Sequence, residues 1–140
     1  LIATTCHLIE AECGHGLTIE QRLEQLPQLA GYPAKISQAL YNVLDNAIKA
    51  TSGPGGRVRI TSRVAENGCS EVVIEDNGCG IATENLDCLF DPFFTTRPVG
   101  SGTGLGLSVA RDIMTAHRGE ILVRSKLGAG TRVTLRFLSQ

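Results

Sequence analysis

Apolar residues recur along this chain with two different periods, and the periods divide it into elements. From Pro33 to Thr51 they return every three or four positions, at Ile36, Ala39, Leu40, Val43 and Ala47. At ~100° per residue these positions share one broad face, which predicts an amphipathic helix lying on a sheet. Proline opens this helix, and the cluster Thr51-Ser52-Gly53-Pro54-Gly55-Gly56 closes it. Elsewhere the period is two. Leu17 to Leu23 alternates as a strand does, and so does the stretch that follows the long helix. There Val58, Ile60 and Val64 face one way while Arg57, Arg59, Thr61 and Arg63 face the other. The turn Glu66-Asn67-Gly68 leads into a further strand, Glu71 to Asp76. Ile81 to Thr103 reads as a short helix and a long glycine-terminated loop. A helix from Leu105 to His117 carries Val109, Ala110, Ile113 and Ala116 on one face. Two last strands, Glu120 to Ser125 and Thr131 to Phe137, flank the turn Gly128-Ala129-Gly130. Thr4 to Cys13 is weakly helical and ends at Gly14. The expected fold is α+β, a two-layer sandwich. A mixed, mostly antiparallel sheet of about five strands would be covered on one face by about three helices.

Composition narrows the function classes. With 140 residues the chain is expected to form a single domain, 1–140, burying about two-thirds of its unfolded surface. Hydrophobic content of 42% and charged content of 19% describe an ordinary soluble globule. Thirteen basic residues stand against fourteen acidic ones, a net charge of −1, so neither nucleic acid nor a membrane surface is expected as an electrostatic partner. No apolar run reaches the ~20 residues of a membrane span, and no signal peptide is visible. The odd number of cysteines without a C-x-x-C pair points to a reducing compartment, so a cytoplasmic domain is expected. The start at Leu1 rather than Met reads as a fragment, with 1–14 a remnant of a linker and any membrane anchor in the missing part. The domain alone is expected to be monomeric. Five cysteines without a C-x-x-C pair argue against a disulfide framework or a zinc site, and His7, His15 and His117 lack metal-ligand spacing.

Four stretches carry chemistry. In Gly100-Ser101-Gly102-Thr103-Gly104-Leu105-Gly106-Leu107, alternating glycines leave backbone N–H groups uncovered and admit a bulky anion. A helix N-terminus follows at once and adds partial positive charge where phosphates would sit. The run is neither the dinucleotide fingerprint nor a G-x-x-x-x-G-K-[ST] loop. On the long helix, Asn42, Asn46 and Lys49 form a narrow polar stripe opposite the apolar face. Asparagine is a poor choice for the middle of a merely solvated helix, and two carbonyl oxygens with an ammonium suit a Mg²⁺-bound phosphate chain. Glu75-Asp76-Asn77-Gly78-Cys79-Gly80-Ile81 leaves a strand end with one glycine more than a turn needs. Asp76 there would accept a hydrogen bond from an exocyclic base amine, favouring adenine over guanine. Finally, Phe90, Phe93 and Phe94 crowd Leu89-Phe90-Asp91-Pro92-Phe93-Phe94-Thr95-Thr96-Arg97, as in a hinged lid with an apolar anchor and a phosphate-facing cation.

In this order the four blocks resemble the catalytic and ATP-binding domain of bacterial sensor histidine kinases, a family that shares its superfamily with gyrase, the mismatch-repair ATPase and a heat-shock chaperone. Asn42 to Lys49 looks like the asparagine box, and Asp76-Asn77-Gly78-Cys79-Gly80-Ile81 like the first glycine box. Phe90-Asp91-Pro92-Phe93-Phe94 matches the phenylalanine box, and Gly102 to Leu107 the second glycine box. Gly128-Ala129-Gly130-Thr131 resembles the closing glycine-threonine turn. The resemblance implies ATP and Mg²⁺ as cofactors and a mobile ATP lid. Asn46 would ligate Mg²⁺ with Asn42 assisting; Lys49 and Arg97 would contact phosphate oxygens. Asp76 would fix the adenine in a pocket shaped by Gly78 and Gly80, and Gly102, Gly104 and Gly106 would wrap the triphosphate. Ile81, Phe94, Thr103, Leu105, Leu107 and Thr131 belong to the implied nucleotide site as well. The chain departs from the family at Ala50, where an aromatic residue is frequent, and at His117-Arg118-Gly119, where His-Gly-Gly is.

Asn42 separates kinase from hydrolase. The hydrolytic relatives place a glutamate there to activate water, and an amide cannot take a proton at neutral pH. Neutral imidazole, with a reference pKa near ~6.5, needs no such base. The expected activity is transfer of the γ-phosphoryl group of Mg-ATP to a histidine on a separate, upstream dimerisation domain, with a response regulator downstream. His7 is followed by Leu8-Ile9-Glu10, not the neighbours of a phosphoacceptor box, so the acceptor is expected outside this chain. The alternative is a nucleotide-binding interaction module without transfer activity.

Overall fold

In the computed structural model the described residues are 2, 4, 5, 7, 17–27, 30–51, 55–92 and 106–138. Their elements run β1 (Leu17–Leu23), α1 (Pro33–Ala50), β2 (Gly56–Val64), β3 (Ser70–Asp76), α2 (Thr83–Leu86), α3 (Gly106–Ala116), β4 (Gly119–Lys126) and β5 (Gly130–Phe137). The five strands form one sheet in the order β1-β2-β3-β5-β4. β1 pairs parallel to β2, with α1 as the crossover, and every other pairing is antiparallel. This is the mixed α+β sandwich that the periodicity predicts.

One face of the sheet meets the helices. Ala39, Leu40, Val43, Leu44 and Ala47 of α1 pack with Ala110, Ile113 and Met114 of α3 over Val58, Ile60, Val72, Ile74, Val133, Leu135 and Phe137. Each large apolar side chain removed from water there contributes about 1.5–3 kcal/mol. Leu44 and Met114 join the expected core residues, and two expected ones leave it. Ala116 is exposed because it lies ~120° around the helix from Ala110, whereas Met114 lies one turn above it. Val64 ends β2 and is 43% exposed; its inward place is taken by Ser62, whose hydroxyl donates to Glu24 O at 2.8 Å. Ile2, Thr4, Thr5 and His7 are helical, and the rest of the segment expected to be weakly helical lies outside the described residues.

The other face carries charge in cross-strand rows. Glu20, Arg59, Glu75 and Arg132 follow one another across β1, β2, β3 and β5, and Arg63, Glu71, Arg136 and Glu120 across β2, β3, β5 and β4. Neighbours within each row are ion-paired, Arg59 Nε to Glu20 at 3.1 Å and Arg136 to Glu71 at 3.5 Å among them. Alternating signs directly opposite one another stabilise a sheet face that carries no helix among the described residues.

The helices are tied at their ends as well as their sides. Pro33 occupies the first turn of α1, and Thr51 closes the helix with its hydroxyl donating to Ile48 O at 2.9 Å. His117, just past α3, holds its Nδ1 2.8 Å from Ile113 O and accepts from Tyr32 N–H at Nε2, 3.1 Å away. One neutral ring, protonated at Nδ1, thus joins the end of α3 to the start of α1.

Candidate nucleotide site

The polar stripe on α1 faces the beginning of α3. Asn42 and Asn46 are half-buried, and a Cβ placed on Gly106 would stand 3.8 Å from both Asn42 Cβ and Asn46 Oδ1. The first turn of α3, whose N–H groups have no acceptor within the helix and which carries partial positive charge, therefore lies beside two carboxamides. Lys49, one turn further along α1, is ion-paired with Asp45 at 2.8 Å. Such an exposed i,i+4 pair contributes little, so the ammonium is readily exchanged to a stronger anion. Among the described residues no group of three or more His, Cys, Asp and Glu side chains converges as a metal cage. Carboxamide oxygens are hard donors of the kind Mg²⁺ accepts. That ion commonly takes only one or two protein ligands and completes its shell with phosphate and water. The donor set fits.

The loop after β3 is fastened on three sides. Asn77 donates to Arg57 O from its backbone at 3.2 Å, accepts from Arg57 N–H at Oδ1 (2.7 Å), and donates from Nδ2 to Gly55 O (3.0 Å). Gly78 passes so close to the end of α1 that a Cβ would run into Ala50 O, the carbonyl that accepts from Cys79 N–H at 3.2 Å. Gly80 has φ +72°, and a Cβ there would run into Lys126 O of the β4–β5 hairpin. That hairpin holds the loop through Gly128 N–H on Cys79 O (2.7 Å) and Ser125 Oγ, which accepts from Ile81 N–H (2.7 Å). Among protein atoms, then, the close approaches at Gly78 and Gly80 are backbone against backbone.

Asp76 sits at the root of this loop. Its Oδ1 accepts from Gly78 N–H at 2.9 Å, and the backbone N–H of Thr131 also bonds the carboxyl. Burial pushes this carboxyl above its ordinary value, and the two N–H donors pull it only partly back. Because Gly78 lies on Ala50, one turn past Asn46, the two halves of the site share the same helix. Asn42 and Ala50 are about 12 Å apart along its axis, on the scale of a nucleoside triphosphate.

Of the sequence-predicted residues the fold thus brings Asn42, Asn46 and Gly106 together at one end, with Leu107 following in α3. Asp76, Gly78, Gly80, Ile81 and Thr131 gather at the other. Lys49 stands on the same helix, turned to Asp45. Phe94, Arg97, Gly102, Thr103, Gly104 and Leu105 lie outside the described residues. Phe90 is described: the guanidinium of Arg111 on α3 lies 5.2 Å from its ring centroid, a cation–π contact that holds the start of that segment on the helix. In the sequence Asp45, Arg111 and Ser125 have no assigned role, and Asn77 has only that of a turn residue. Of the first three, only Asp45, four residues before Lys49, left a signal there.

Comparison with known proteins gives the family. Residues 31–140 fit the family model described as histidine kinase-, DNA gyrase B-, and HSP90-like ATPase. The chain is 44% identical to the signal transduction histidine-protein kinase AtoS of Escherichia coli strain K12, over 71% of this chain and 16% of that protein. To the sensor histidine kinase ZraS of the same strain it is 39% identical, over 80% of this chain and 23% of that protein. The chain spans about a sixth to a quarter of the length of these relatives. Among solved structures, the mycobacterial sensor histidine kinase MprB superposes with a TM-score of 0.84 at 28% identity, covering 97% of this chain and 90% of that one. Full-length ShkA, solved in complex with AMPPNP, gives 0.84 at 25% identity, over 97% of this chain and 28% of that one.

Proposed function

Since the chain belongs to the histidine kinase-, DNA gyrase B- and HSP90-like ATPase family, as the ATPase domain of a sensor kinase, we propose that it binds Mg-ATP and delivers the γ-phosphoryl group to a histidine on a separate dimerisation domain. The phosphoryl group would pass from there to a response regulator. The observation that carries this reading is the apposition of Asn42 and Asn46 to the first turn of α3 at Gly106.

In this reading Asp76 accepts a hydrogen bond from the adenine amine, and Gly78 and Gly80 let the loop that holds it close against α1 and the hairpin. Asn46, with Asn42 beside it, holds Mg²⁺ through amide oxygens; the ion, when bound, screens the phosphate charge and polarises the γ-phosphoryl group. The N-terminal N–H groups of α3, Lys49 and Arg97 bind phosphate oxygens. Asn42 offers no proton acceptor, so no water is activated at that position, and the incoming imidazole brings its own lone pair. Transfer then depends on positioning and charge stabilisation.

The test supplies the upstream dimerisation domain in trans with γ-labelled ATP. Label on histidine, labile to acid and stable to base, is expected. Label on serine, or none despite nucleotide binding, refutes the reading.

A further inference from the structure

Three polar side chains stand in one row across the sheet at the adenine end of the site. Asp76 of β3 lies directly opposite Thr131 of β5, and Thr131 directly opposite Ser125 of β4. Residues so paired present their side chains on the same face, here the one that meets the helices. Among the described residues Ser125 Oγ has three hydrogen-bonding neighbours: Ile81 N at 2.7 Å, Gly130 O at 2.9 Å and Thr131 Oγ1 at 2.8 Å. The amide can only donate and the carbonyl can only accept. One proton assignment therefore satisfies all three contacts: Ile81 N–H and Thr131 O–H donate to Ser125 Oγ, which donates its single proton to Gly130 O.

That assignment fixes the polarity of Thr131. With its proton committed to Ser125, its hydroxyl has only lone pairs left for anything else beside Asp76. The carboxylate is an acceptor too, and its Gly78 and Thr131 N–H bonds leave lone pairs over. The end of the row thus offers acceptors alone, which match the two N–H groups of a purine C6 amine and repel a C6 carbonyl. Resting on the nucleotide reading of this site, we propose that Ser125 is a specificity-determining positioning residue. It holds Thr131 as a hydrogen-bond acceptor and thereby makes the pocket select a 6-amino over a 6-oxo purine.

Ser125→Ala removes the acceptor of the Thr131 proton. Thr131 can then rotate and donate, which accommodates a 6-oxo base. The Ile81 N–H also loses its partner, an effect that weakens every nucleotide alike. The readout is therefore the ratio of ITP to ATP dissociation constants, measured by calorimetry with Mg²⁺ on the same protein. One hydrogen bond's discrimination corresponds to about a fivefold fall in that ratio for Ser125→Ala. Ser125→Thr, which keeps the hydroxyl, restores it. In a Thr131→Val background, Ser125→Ala changes the ratio no further, because Ser125 acts through Thr131. A ratio unchanged in Ser125→Ala, with both affinities lowered equally, overturns the proposal. If Ser125→Ala does not fold, Thr131→Val, which keeps the volume, must lower the ratio by itself, and an unchanged ratio there overturns it equally. Wild-type domain that binds neither nucleotide sinks the reading of the site itself, an outcome distinct from ATP binding without the predicted change in preference.

Discussion

Replacing Asp76 by asparagine changes one acceptor oxygen into a donor while keeping the side chain's shape. The retained oxygen still accepts from Gly78 N–H, the 2.9 Å bond that shapes the loop. The new NH₂ group points a donor where a base amine also donates. A hydrogen bond to a charged group is worth about 1.5–3 kcal/mol, so ATP affinity is expected to fall about 10- to 150-fold. The fold is expected to survive, with a stability change under about 1 kcal/mol, because burial already disfavours the ionised carboxyl. The pH dependence separates the two effects. The Asp76 carboxyl titrates above its ordinary value in the folded domain. The folded state thus holds this proton more tightly than the unfolded chain does. That contribution to stability is complete below the unfolded value and is lost as pH rises through the folded one. Nucleotide binding needs the ionised acceptor and runs the other way, weakening on acidification from a pH above the usual aspartate range. In Asp76→Asn this dependence of affinity disappears. Calorimetry across pH, with thermal melts of the nucleotide-free domain alongside, checks both. Affinity within about twofold of wild type would place the base elsewhere and refute the reasoning.

Other sites yield further expectations. Asn46→Ala is expected to abolish most of the Mg²⁺-dependent gain in ATP affinity while leaving the weaker, metal-free binding intact, as calorimetry with and without EDTA reads directly. Gly78→Ala forces a Cβ onto Ala50 O; a loss of about 1–3 kcal/mol of stability, read by urea unfolding, comes with weakened ATP binding. Leu44, 1% exposed at the α1–sheet contact, should cost about 2–5 kcal/mol when cut to alanine, seen as a lower unfolding midpoint with an unchanged m-value.

How much was legible beforehand depends on the range of the interaction. Periods of three to four and of two come from the chain's own geometry, so α1, β1 and the two hairpins could be read from apolar spacing. Alternation runs from Leu17 and stops at Leu23, and β1 has those same boundaries. The inward faces were less secure. Ala116 and Met114 differ by two residues, and only the position of the sheet says which faces it. The candidate residues on α1 were legible because one helix presents Asn42, Asn46 and Lys49 in a line. The partner of Lys49 is local too, since the i,i+4 spacing to Asp45 announces their ion pair.

The glycines show most clearly where local inference stops. A second glycine after Asp76 marks a close approach, but nothing in the string names what approaches. The fold supplies Ala50 O against Gly78 and Lys126 O against Gly80, from elements 28 residues before the one and 46 after the other (78 − 50 and 126 − 80). Ser125 left no trace at all. It becomes part of the site only because strand register sets it opposite Thr131, and Thr131 opposite Asp76. By itself the sequence determined the elements, the layer arrangement and the residue types able to hold a nucleotide and its metal, because those follow from neighbours along the chain. Tertiary structure decided which backbones touch, which protons are committed and which lone pairs remain, because hydrogen bonds act over a few ångströms across distant segments.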